Sequence, residues 1–468
     1  MAETYDMAVV GGGPGGYVCA LRGRQLGLTV VLIEKERVGG LCLNRGCIPT
    51  KALLSDAERI RWTRKAASVG ILDQAPTFSF AGIMKRKDDV VRKMTSNLEG
   101  LLSSTGITLI NEPARVPEPG TLVTVSGKII KAANIVIATG SRPWVPPIPG
   151  TDLPGVKGTR EALDMEKVPE KMVVVGGGVI GQEFAAIFSG LGTEVTILET
   201  LGRVLNDVDE EIVKRYSALL PSLGITTEVH VRINRIEKSG DHLKVFYQWR
   251  DKEKVASADM VLIAAGRRPN IDGSGIVELG VRTINGAVQV DDFLQTSLAG
   301  IYAVGDVVGR KMLAHVASYH GEIVAENIAG HEKPCEDDIV PACVFTTPQI
   351  AWAGLTEDQV KKSGRPFRTS SFSLSASGKA LAVGESHGLL KLIEDTGTGK
   401  LIGAHFLGPN VSELVGEAAL AMKKGLSASD LAETIHPHPT VSEAMREAVL
   451  GFLGGPLHAV SRTKVFAG

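Results

Sequence analysis

Cysteine is scarce in this sequence of 468 residues, and its five cysteines do not form the dense, even set of a secreted disulfide scaffold. No apolar run approaches the length of a membrane span, and no basic leader precedes the first strand pattern, MAETYDMAVV. Neither charge sign is in excess, with 51 basic and 52 acidic residues and no basic block. Nucleic acid and anionic membranes are therefore not expected as partners. We expect a cytoplasmic protein.

Glycine, in contrast, is abundant, with 54 residues, and 44% of the chain is hydrophobic. This composition is typical of an α/β protein with many tight turns. Because the chain is too long for a single hydrophobic core, we expect about three domains.

A glycine-rich turn follows the first predicted strand, MAVV. Its glycines, which have GxGxxG spacing, are Gly11, Gly13 and Gly16. A helical pattern comes next, and a second strand then ends at Glu34. Such glycines permit a tight turn, the approach of a diphosphate to the helix N-terminus and close helix packing, while the acid suits a ribose hydroxyl. One motif alone is weak, because glycine-rich turns without a ligand also occur.

The sequence repeats this arrangement in a second copy. Gly176, Gly178 and Gly181 follow the strand KMVVV, and the next strand ends at Glu199, at the same distance from its first glycine as in the first copy. Two copies in full context strongly indicate two dinucleotide sites. A carboxylate at Glu199 would repel the 2′-phosphate of NADP, and the nearest arginine, Arg203, does not follow immediately, so NAD is favoured.

Two cysteines are separated by four residues in the run GGLCLNRGCIPTKALL. On a continuous helix the Cα atoms of Cys42 and Cys47 would be about 8.6 Å apart, whereas a disulfide needs less than about 7 Å. The segment must therefore bend near Cys42, and Gly46 and Pro49 suit a bend followed by a new helix. Cys47 would then lie at a helix N-terminus with Lys51 one turn away, which favours a thiolate. The alternative is a pair of buried cysteines that act as small hydrophobes.

The rest of the sequence indicates where domains begin and end. A proline-rich stretch at 143–149 suits a linker. The pattern TSLAGIYAVGDVVG delivers Asp306 to the end of a strand, and from about Pro341 strand patterns alternate with amphipathic helices. We expect four segments. A first domain spans 1–148 and continues at 272–341, and a second nucleotide domain at 149–271 lies between these two parts. A separate α+β unit spans 342–468.

Together these motifs resemble the pyridine nucleotide-disulfide oxidoreductases, a flavoprotein family, over essentially the whole chain. The resemblance implies two Rossmann-like domains, the first for FAD and the second for NAD, followed by a C-terminal α+β domain that forms a homodimer. It implies a Lys51–Glu183 pair beside the flavin. Further implied FAD contacts are Thr139, Gly140, Asp306, Met312, Leu313, Ala314 and His315, and further implied NAD contacts are Val179, Ile180 and Gly266.

The resemblance also assigns catalytic roles. Cys42 is the thiol that exchanges with the substrate disulfide, and Cys47 is the thiol nearest the flavin. The segment HPHPTVSE matches the family's acid-base pair, with His438 as the proton carrier and Glu443 as its orienting partner, and both would reach the cysteines of the other subunit. Imidazole suits this chemistry, because exchange needs an attacking thiolate and a protonated leaving thiol. A surface His-Pro loop is the alternative, and His436 is given a loop role.

The implied reaction is the oxidation of dihydrolipoyl groups by NAD+, on a lipoyl-bearing protein separate from this chain, in 2-oxo acid dehydrogenase or glycine-cleavage systems. One rival is an NAD(P)H-dependent reductase of the same family that acts on another disulfide. The other is a non-catalytic flavoprotein scaffold, which would need none of the cysteines, Lys51, His438 or Glu443.

Several residues have roles that the sequence leaves open. Arg45, between the two cysteines, is expected either to lower their pKa or contact an acidic partner, or to point to solvent. His315 and His405 are expected to be structural or near a cofactor. The other cysteines, Cys19, Cys335 and Cys343, are expected to be ordinary thiols.

Overall fold

A computed structural model describes residues 3–466 of the chain. Its first part contains β1 (Glu3–Val10), α1 (Pro14–Gln25), β2 (Val30–Ile33), α2 (Gly40–Arg45), α3 (Cys47–Ser68), α4 (Phe80–Ser104), β3 (Thr108–Ile110), β4 (Ala114–Glu118), β5 (Thr121–Thr124), β6 (Ile129–Ile137) and β7 (Ser141–Pro143). The strands order as β3-β2-β1-β6-β5-β4, and β1, β2, β3 and β6 are parallel. All four residues of β2 are buried, as expected for a parallel strand covered on both faces.

The second part repeats this design. It contains β8 (Val156–Lys157), α5 (Thr159–Ala162), β9 (Lys171–Val175), α6 (Val179–Leu191), β10 (Glu194–Leu198), α7 (Glu210–Leu219), β11 (Ile225–Glu228), β12 (Val231–Ser239), β13 (His242–Trp249), β14 (Lys252–Ala258), β15 (Met260–Ile263) and β16 (Arg267–Pro269). A parallel sheet has the order β11-β10-β9-β15-β8, and β12 to β14 form a separate antiparallel sheet. The connecting strands β7 and β16 pair with each other, so the two links between the nucleotide units lie side by side.

The chain then returns to the first sheet. This part contains β17 (Thr283–Ile284), β18 (Ala287–Val288), β19 (Ile301–Ala303) and α8 (Ala314–Ile328). β19 pairs in parallel with β6 and is followed by a 3₁₀ turn, Gly305–Val308, that contains Asp306. Helix α8 packs closely on α1, because a Cβ at Gly321 would lie 2.3 Å from the Gly15 carbonyl oxygen.

The last part is an α+β unit. It contains β20 (Ala342–Val344), β21 (Gln349–Gly354), α9 (Glu357–Ser363), β22 (Phe367–Ser373), α10 (Gly378–Ala382), β23 (Leu389–Asp395), β24 (Leu401–Gly408), α11 (Val411–Lys424), α12 (Ala428–Glu433), α13 (Glu443–Leu450) and β25 (Lys464–Phe466). The antiparallel sheet has the order β20-β21-β24-β23-β22-β25.

The predicted mixed α/β class with two nucleotide units and an α+β unit is confirmed. The two-stranded sheet of β7 and β16 links the segments expected at 1–148 and 149–271, and the segment boundaries stay a prediction. Among the helices of residues 3–466, none is long and apolar enough to cross a membrane.

A buried ion cluster joins the second nucleotide unit to the α+β unit. Lys391 of β23, whose side chain is 3% exposed, places Nζ 2.8 Å from Asp209 Oδ1 and 2.7 Å from Glu357 Oε2. Asp209 caps α7 and also accepts the Glu357 backbone N–H. His405 lies beside Asp209, and its ring is fully buried. Of the two expected roles, structural or near a cofactor, this position fits the structural one. The charges compensate one another only while Lys391 is present.

We predict that Lys391→Met lowers the stability of the protein by about 3–5 kcal/mol, because it leaves the buried Asp209 carboxylate without its cation and Glu357 with Lys361 alone. Thermal unfolding measures this loss. Lys361→Met is the matched control, because Lys361 pairs with the same Glu357 from an exposed position on α9 and its loss should cost less than about 1 kcal/mol. Equal effects of the two substitutions would show that the buried cluster does not stabilise the contact between the units.

Candidate active site

The two glycine-rich turns have nearly identical backbones. The first glycines, Gly11 and Gly176, both have φ of 109°, which is in the left-handed region that favours glycine. The helix-capping glycines also agree, with φ −72° and ψ −176° at Gly13 and φ −73° and ψ −175° at Gly178. The sequence repeat is therefore a structural repeat.

Packing explains the outer glycines of each turn. A Cβ at Gly16 would lie 1.8 Å from the Gly11 carbonyl oxygen, and one at Gly181 would lie 2.0 Å from that of Gly176. The helix-capping glycines, Gly13 and Gly178, have open space around them instead. A Cβ at Gly178 would meet no atom within 4 Å, and one at Gly13 would meet only the Gly40 Cα, at 3.8 Å. The chain thus keeps a space free at the N-termini of α1 and α6, where backbone N–H groups attract a diphosphate.

The acid at the end of the second strand is held in the same way in both copies. Glu34 accepts hydrogen bonds from the N–H groups of Gly12, at 2.7 Å, and Glu36, at 2.8 Å. Glu199 accepts them from Gly177, at 2.6 Å, and Leu201, at 2.8 Å. Each carboxylate is thereby fixed beside its glycine turn, with lone pairs left for a further donor such as a hydroxyl.

The redox segment contains a helix break at one of the two residues that the sequence favoured for it. Cys42 lies inside the short helix α2, and the break falls at Gly46, which has φ −140° and ψ −108°. The chain does not bend at Cys42 itself, because α2 runs unbroken from Gly40 to Arg45 and the non-helical Gly46 separates it from α3. Cys47 is the first residue of α3, as expected.

The two thiols are free and half-buried, and they interact with each other. The hydrogen bond from Cys42 lowers the pKa of Cys47 to about 7, with a further contribution from Lys51 against the effect of burial. The same hydrogen bond, together with burial, raises the pKa of Cys42 well above the ordinary value of a thiol. In the reduced state Cys47 is thus the better thiolate, and Cys42 keeps its proton unless a base removes it.

A buried ion pair meets three parts of the chain beside these thiols. Lys51 Nζ of α3 lies 2.8 Å from both carboxylate oxygens of Glu183 of α6. Glu183 Oε1 also accepts the Phe345 backbone N–H from the α+β unit, at 3.1 Å, and Lys51 lies over the Phe345 ring. The predicted pairing of Lys51 with Glu183 is therefore present in the structure.

A single cavity of about 2240 Å³ brings most of the predicted residues together. Those in its lining are Gly11, Gly13, Glu34, Cys42, Cys47, Lys51, Thr139, Gly140, Gly178, Val179, Ile180, Glu183, Gly266, Asp306, Met312, Leu313, Ala314 and His315. Four of the predicted cofactor-binding residues are not in the lining, namely Gly16, Gly176, Gly181 and Glu199. The three glycines act through packing instead, since a Cβ on any of them would clash with backbone.

The His438–Glu443 pair is formed, but away from this cavity. His438 Nδ1 lies 2.8 Å from Glu443 Oε1, and the His438 side chain is 78% exposed. Against burial, which raises it, the Thr440 N–H and His438 lower the pKa of Glu443, so this carboxylate is charged at neutral pH. His436 differs, because its side chain is 6% exposed and is held by Glu417 and the Thr434 carbonyl, which agrees with a loop role.

Comparisons with known proteins bear on the identity of this arrangement. The family model described as pyridine nucleotide-disulphide oxidoreductase matches residues 5–321, and the dimerisation domain of the same family matches residues 340–449. The dihydrolipoyl dehydrogenase of Bacillus subtilis (strain 168) is 38% identical over 98% of this chain and 100% of its own. That of Geobacillus stearothermophilus is 37% identical over 98% of each.

The chain belongs to the pyridine nucleotide-disulphide oxidoreductase family. Its structure is also similar to that of the HOCl-induced flavoprotein disulfide reductase RclA from Escherichia coli, with a TM-score of 0.86 and 29% identity over 95% of this chain and 99% of that one. The predicted family, the oxidoreductase class, the homodimer and the cofactors FAD and NAD are confirmed.

The residues present fit both cofactors of the family. The open spaces before Gly13 and Gly178 face helix N-termini within one continuous cavity, and the redox cysteines and the Lys51–Glu183 pair line the same cavity. On this arrangement the first turn would hold FAD and the second NAD.

Sequence reasoning missed a second cluster in this family member. The Ser141 hydroxyl donates to Asp306, and Arg267 donates from Nε to the Ser141 hydroxyl, at 2.8 Å, and from a terminal nitrogen to the Ser141 carbonyl, at 2.7 Å. These residues come from β7, β16 and the turn after β19, so the pairing of β7 with β16 and that of β19 with β6 bring them together. The similar runs GSRP and GRRP were the available signal.

Two other side chains gain a defined place. Arg45 pairs with Glu36, and Lys51, not Arg45, is the cation that contributes to the lowered pKa of Cys47. His315 lines the cavity and contacts the Pro341 carbonyl through Nε2, at 2.8 Å, which fits the expectation of a residue near a cofactor. Cys343, expected to be an ordinary thiol, also lines the cavity.

We predict that Gly178→Ala leaves the fold intact but weakens NAD+ binding about tenfold, equivalent to about 1.4 kcal/mol, because its methyl group enters the space kept for the diphosphate. Calorimetric titration with NAD+ measures the affinity. Gly181→Ala is the contrasting variant, since its Cβ would meet backbone, and we expect it to destabilise the protein by about 1–3 kcal/mol. If Gly178→Ala bound NAD+ as tightly as wild type, the diphosphate would not lie before this glycine.

We also predict that Lys51→Gln raises the pKa of Cys47 from about 7 towards that of an ordinary thiol, because it removes a cation that favours the thiolate. The thiolate absorbance of the reduced protein, followed against pH, should then appear at higher pH. Lys65→Gln, on an exposed turn of the same helix, is the control. An unchanged titration in Lys51→Gln would assign the low pKa of Cys47 to Cys42 alone.

Proposed function

We propose that this chain oxidises dihydrolipoyl groups to the lipoyl disulfide with NAD+ as the acceptor, through the Cys42–Cys47 pair. The activity is the one named for curated relatives that are 36–38% identical over nearly the whole chain. The observation that carries the proposal is the pair of Cys42 in α2 and Cys47 at the start of α3, in which Cys47 is stabilised as a thiolate beside the Lys51–Glu183 pair.

The two cysteines have different tasks in the proposed exchange. One substrate thiolate attacks Cys42 Sγ of the oxidised pair, which forms a mixed disulfide and releases Cys47 as a thiolate. The low pKa of Cys47 makes it a good leaving group. The second substrate thiol then attacks the substrate sulfur of the mixed disulfide, so the lipoyl disulfide forms and Cys42 leaves. Two electrons have thereby moved from the substrate dithiol to the cysteine pair.

Proton transfer in this exchange needs an acid–base group, because the substrate thiols must lose their protons to attack and Cys42, whose pKa is raised, takes up a proton as it leaves. We assign this role to His438 of the partner subunit, since His438 is exposed and does not line the cavity of its own chain. Glu443 accepts from His438 Nδ1, which fixes the tautomer and leaves Nε2 free to take the proton of the second substrate thiol and return it to Cys42.

FAD, when bound, relays the electron pair from the reduced cysteines to NAD+. The chain's own contribution is to hold both cofactors in one cavity and to keep Cys47 and the Lys51–Glu183 pair beside it. The proposal includes a separate lipoyl-bearing protein as substrate, in 2-oxo acid dehydrogenase or glycine-cleavage systems, and a cytoplasmic location.

A second candidate is a disulfide reductase that acts on a different substrate. The structural likeness to a flavoprotein disulfide reductase favours it, because the same cavity and cysteine pair serve either direction of electron flow. A non-catalytic scaffold has less support, since the thiol pair, Lys51–Glu183 and His438–Glu443 are all assembled.

The test is anaerobic turnover of the purified holoenzyme with dihydrolipoamide and NAD+, followed by NADH formation. We expect turnover in the wild type, none in Cys42→Ser or Cys47→Ser, and a loss of about 10²–10⁴-fold in kcat for His438→Gln. His436→Gln is the matched control and should retain activity.

Three results would change the proposal. If NADH generates two free thiols but dihydrolipoamide gives no turnover, the disulfide chemistry stands and the substrate assignment is wrong. Full activity of His438→Gln would remove this residue from the proton transfer. Full activity of the cysteine variants would contradict the whole mechanism.

A further inference from the structure

A buried amide lies directly behind the second glycine turn. Gln182 follows Gly181 on α6 and precedes Glu183, and its side chain is completely buried. Its Nε2 donates to the carbonyl oxygen of Gly177, the central residue of the turn, at 3.3 Å. A buried amide that contacts a ligand-binding turn from behind can influence where that turn lies.

The other end of this amide is fixed by a second buried side chain. The Tyr216 hydroxyl, on α7, donates to Gln182 Oε1 at 3.0 Å, and Tyr216 is also completely buried. Burial raises the pKa of Tyr216, so its hydroxyl remains a donor. The reverse orientation of the amide would place its oxygen against the Gly177 carbonyl oxygen, so the two partners determine its direction.

Within residues 3–466, the hydrogen-bond bridge from Tyr216 through Gln182 to the Gly177 carbonyl is found in the second copy of the repeat and not in the first. In both copies the carbonyl of the central glycine accepts one backbone N–H, from Gly39 to Gly12 in the first copy and from Leu205 to Gly177 in the second. The residue equivalent to Gln182 in the first copy is Tyr17. Only the second turn therefore has an added side-chain amide, although the backbones of the two turns are nearly identical.

The bridge also reaches the α+β unit. Tyr216 belongs to a core cluster that includes Val344 and Leu407, and Thr346 lies beside its hydroxyl. A substitution in this bridge therefore alters the contacts of the glycine turn and also the packing of α7 on the α+β unit.

We propose that Gln182 and Tyr216 are positioning residues for NAD, which hold the Gly176–Gly178 turn in the geometry that receives the diphosphate. The inference deepens the proposed function, because it rests on the second turn as the NAD site. Neither side chain lines the cavity, so both act through the turn and not by contact with the nucleotide.

The physical consequence separates positioning from stability. Removing the Tyr216 hydroxyl alone leaves Gln182 Oε1 buried without a donor, which is costly, whereas replacing both partners by apolar groups of similar shape is close to neutral. The apolar pair has nevertheless lost the bond to the Gly177 carbonyl. A positioning role therefore predicts that stability recovers in the double variant while NAD+ affinity does not.

The experiment compares Gln182→Met, Tyr216→Phe and the double variant of the holoenzyme. Thermal unfolding gives stability, calorimetric titration of the oxidised protein with NAD+ gives affinity, and turnover with dihydrolipoamide gives KM for NAD+ and kcat. We expect NAD+ affinity to fall about 3–10-fold in all three variants, with KM for NAD+ raised and kcat within about twofold of wild type. Melting temperature should fall in the single variants and recover in the double variant.

Tyr247→Phe is the matched control, because Tyr247 is a buried tyrosine of the same unit that lies on β13. It should leave NAD+ affinity unchanged. Unchanged affinity in Gln182→Met, or affinity that recovers together with melting temperature in the double variant, would overturn the inference. If the wild type failed to bind NAD+, the NAD assignment of the proposed function would fall with it, whereas tight binding by wild type and variants alike overturns this inference alone.

Discussion

The ion pair between Lys51 and Glu183 is the contact on which the rest of the site depends. Lys51 comes from the helix that begins at Cys47, Glu183 from the helix that begins at the second glycine turn, and Phe345 of the α+β unit donates to the same carboxylate. Glu183 is almost fully buried, so its charge needs both partners. Three units thus converge on one carboxylate, which places the thiols and the nucleotide helix around a single cavity.

The repeat of the glycine-rich turn and its anchored acid explains much of the remaining architecture. The side chains that differ between the two copies distinguish their functions. The two turns share their backbone angles and the anchoring of Glu34 and Glu199. They differ in the two residues after the last glycine, since Tyr17 and Gln182 occupy equivalent positions and Glu183 has a valine, Val18, as its counterpart. Because the shared features are those that any dinucleotide needs, the two sites are distinguished by side chains on the helix just behind each turn.

Local features could be predicted from the sequence, and long-range partners could not. The glycine positions and the helix start at Cys47 follow from spacing along the chain, whereas the His438–Glu443 pair was predicted through the family resemblance. Lys51–Glu183 was predicted only through the family resemblance. The contacts of Arg267 with Ser141, and of Tyr216 with Gln182, depend on how distant strands and helices pack, which periodicity does not specify. The Cα distance required a bend between the cysteines, and the sequence left Gly46 and Pro49 as candidates; the break falls at Gly46.

The position of His438 makes the homodimer part of the proposed chemistry as well as of the assembly. An acid–base group is required because the substrate thiols must lose their protons and Cys42 takes one up as it leaves, yet within one chain the His438–Glu443 pair lies on the surface and the cysteines line the cavity. An exposed imidazole with a fixed tautomer is of little use to folding, since a solvent-facing ion pair contributes little stability. It suits a task outside its own subunit. Each chain would then supply the thiols of one site and the base of the other, so that separating the subunits would remove proton transfer while leaving both cysteines in place.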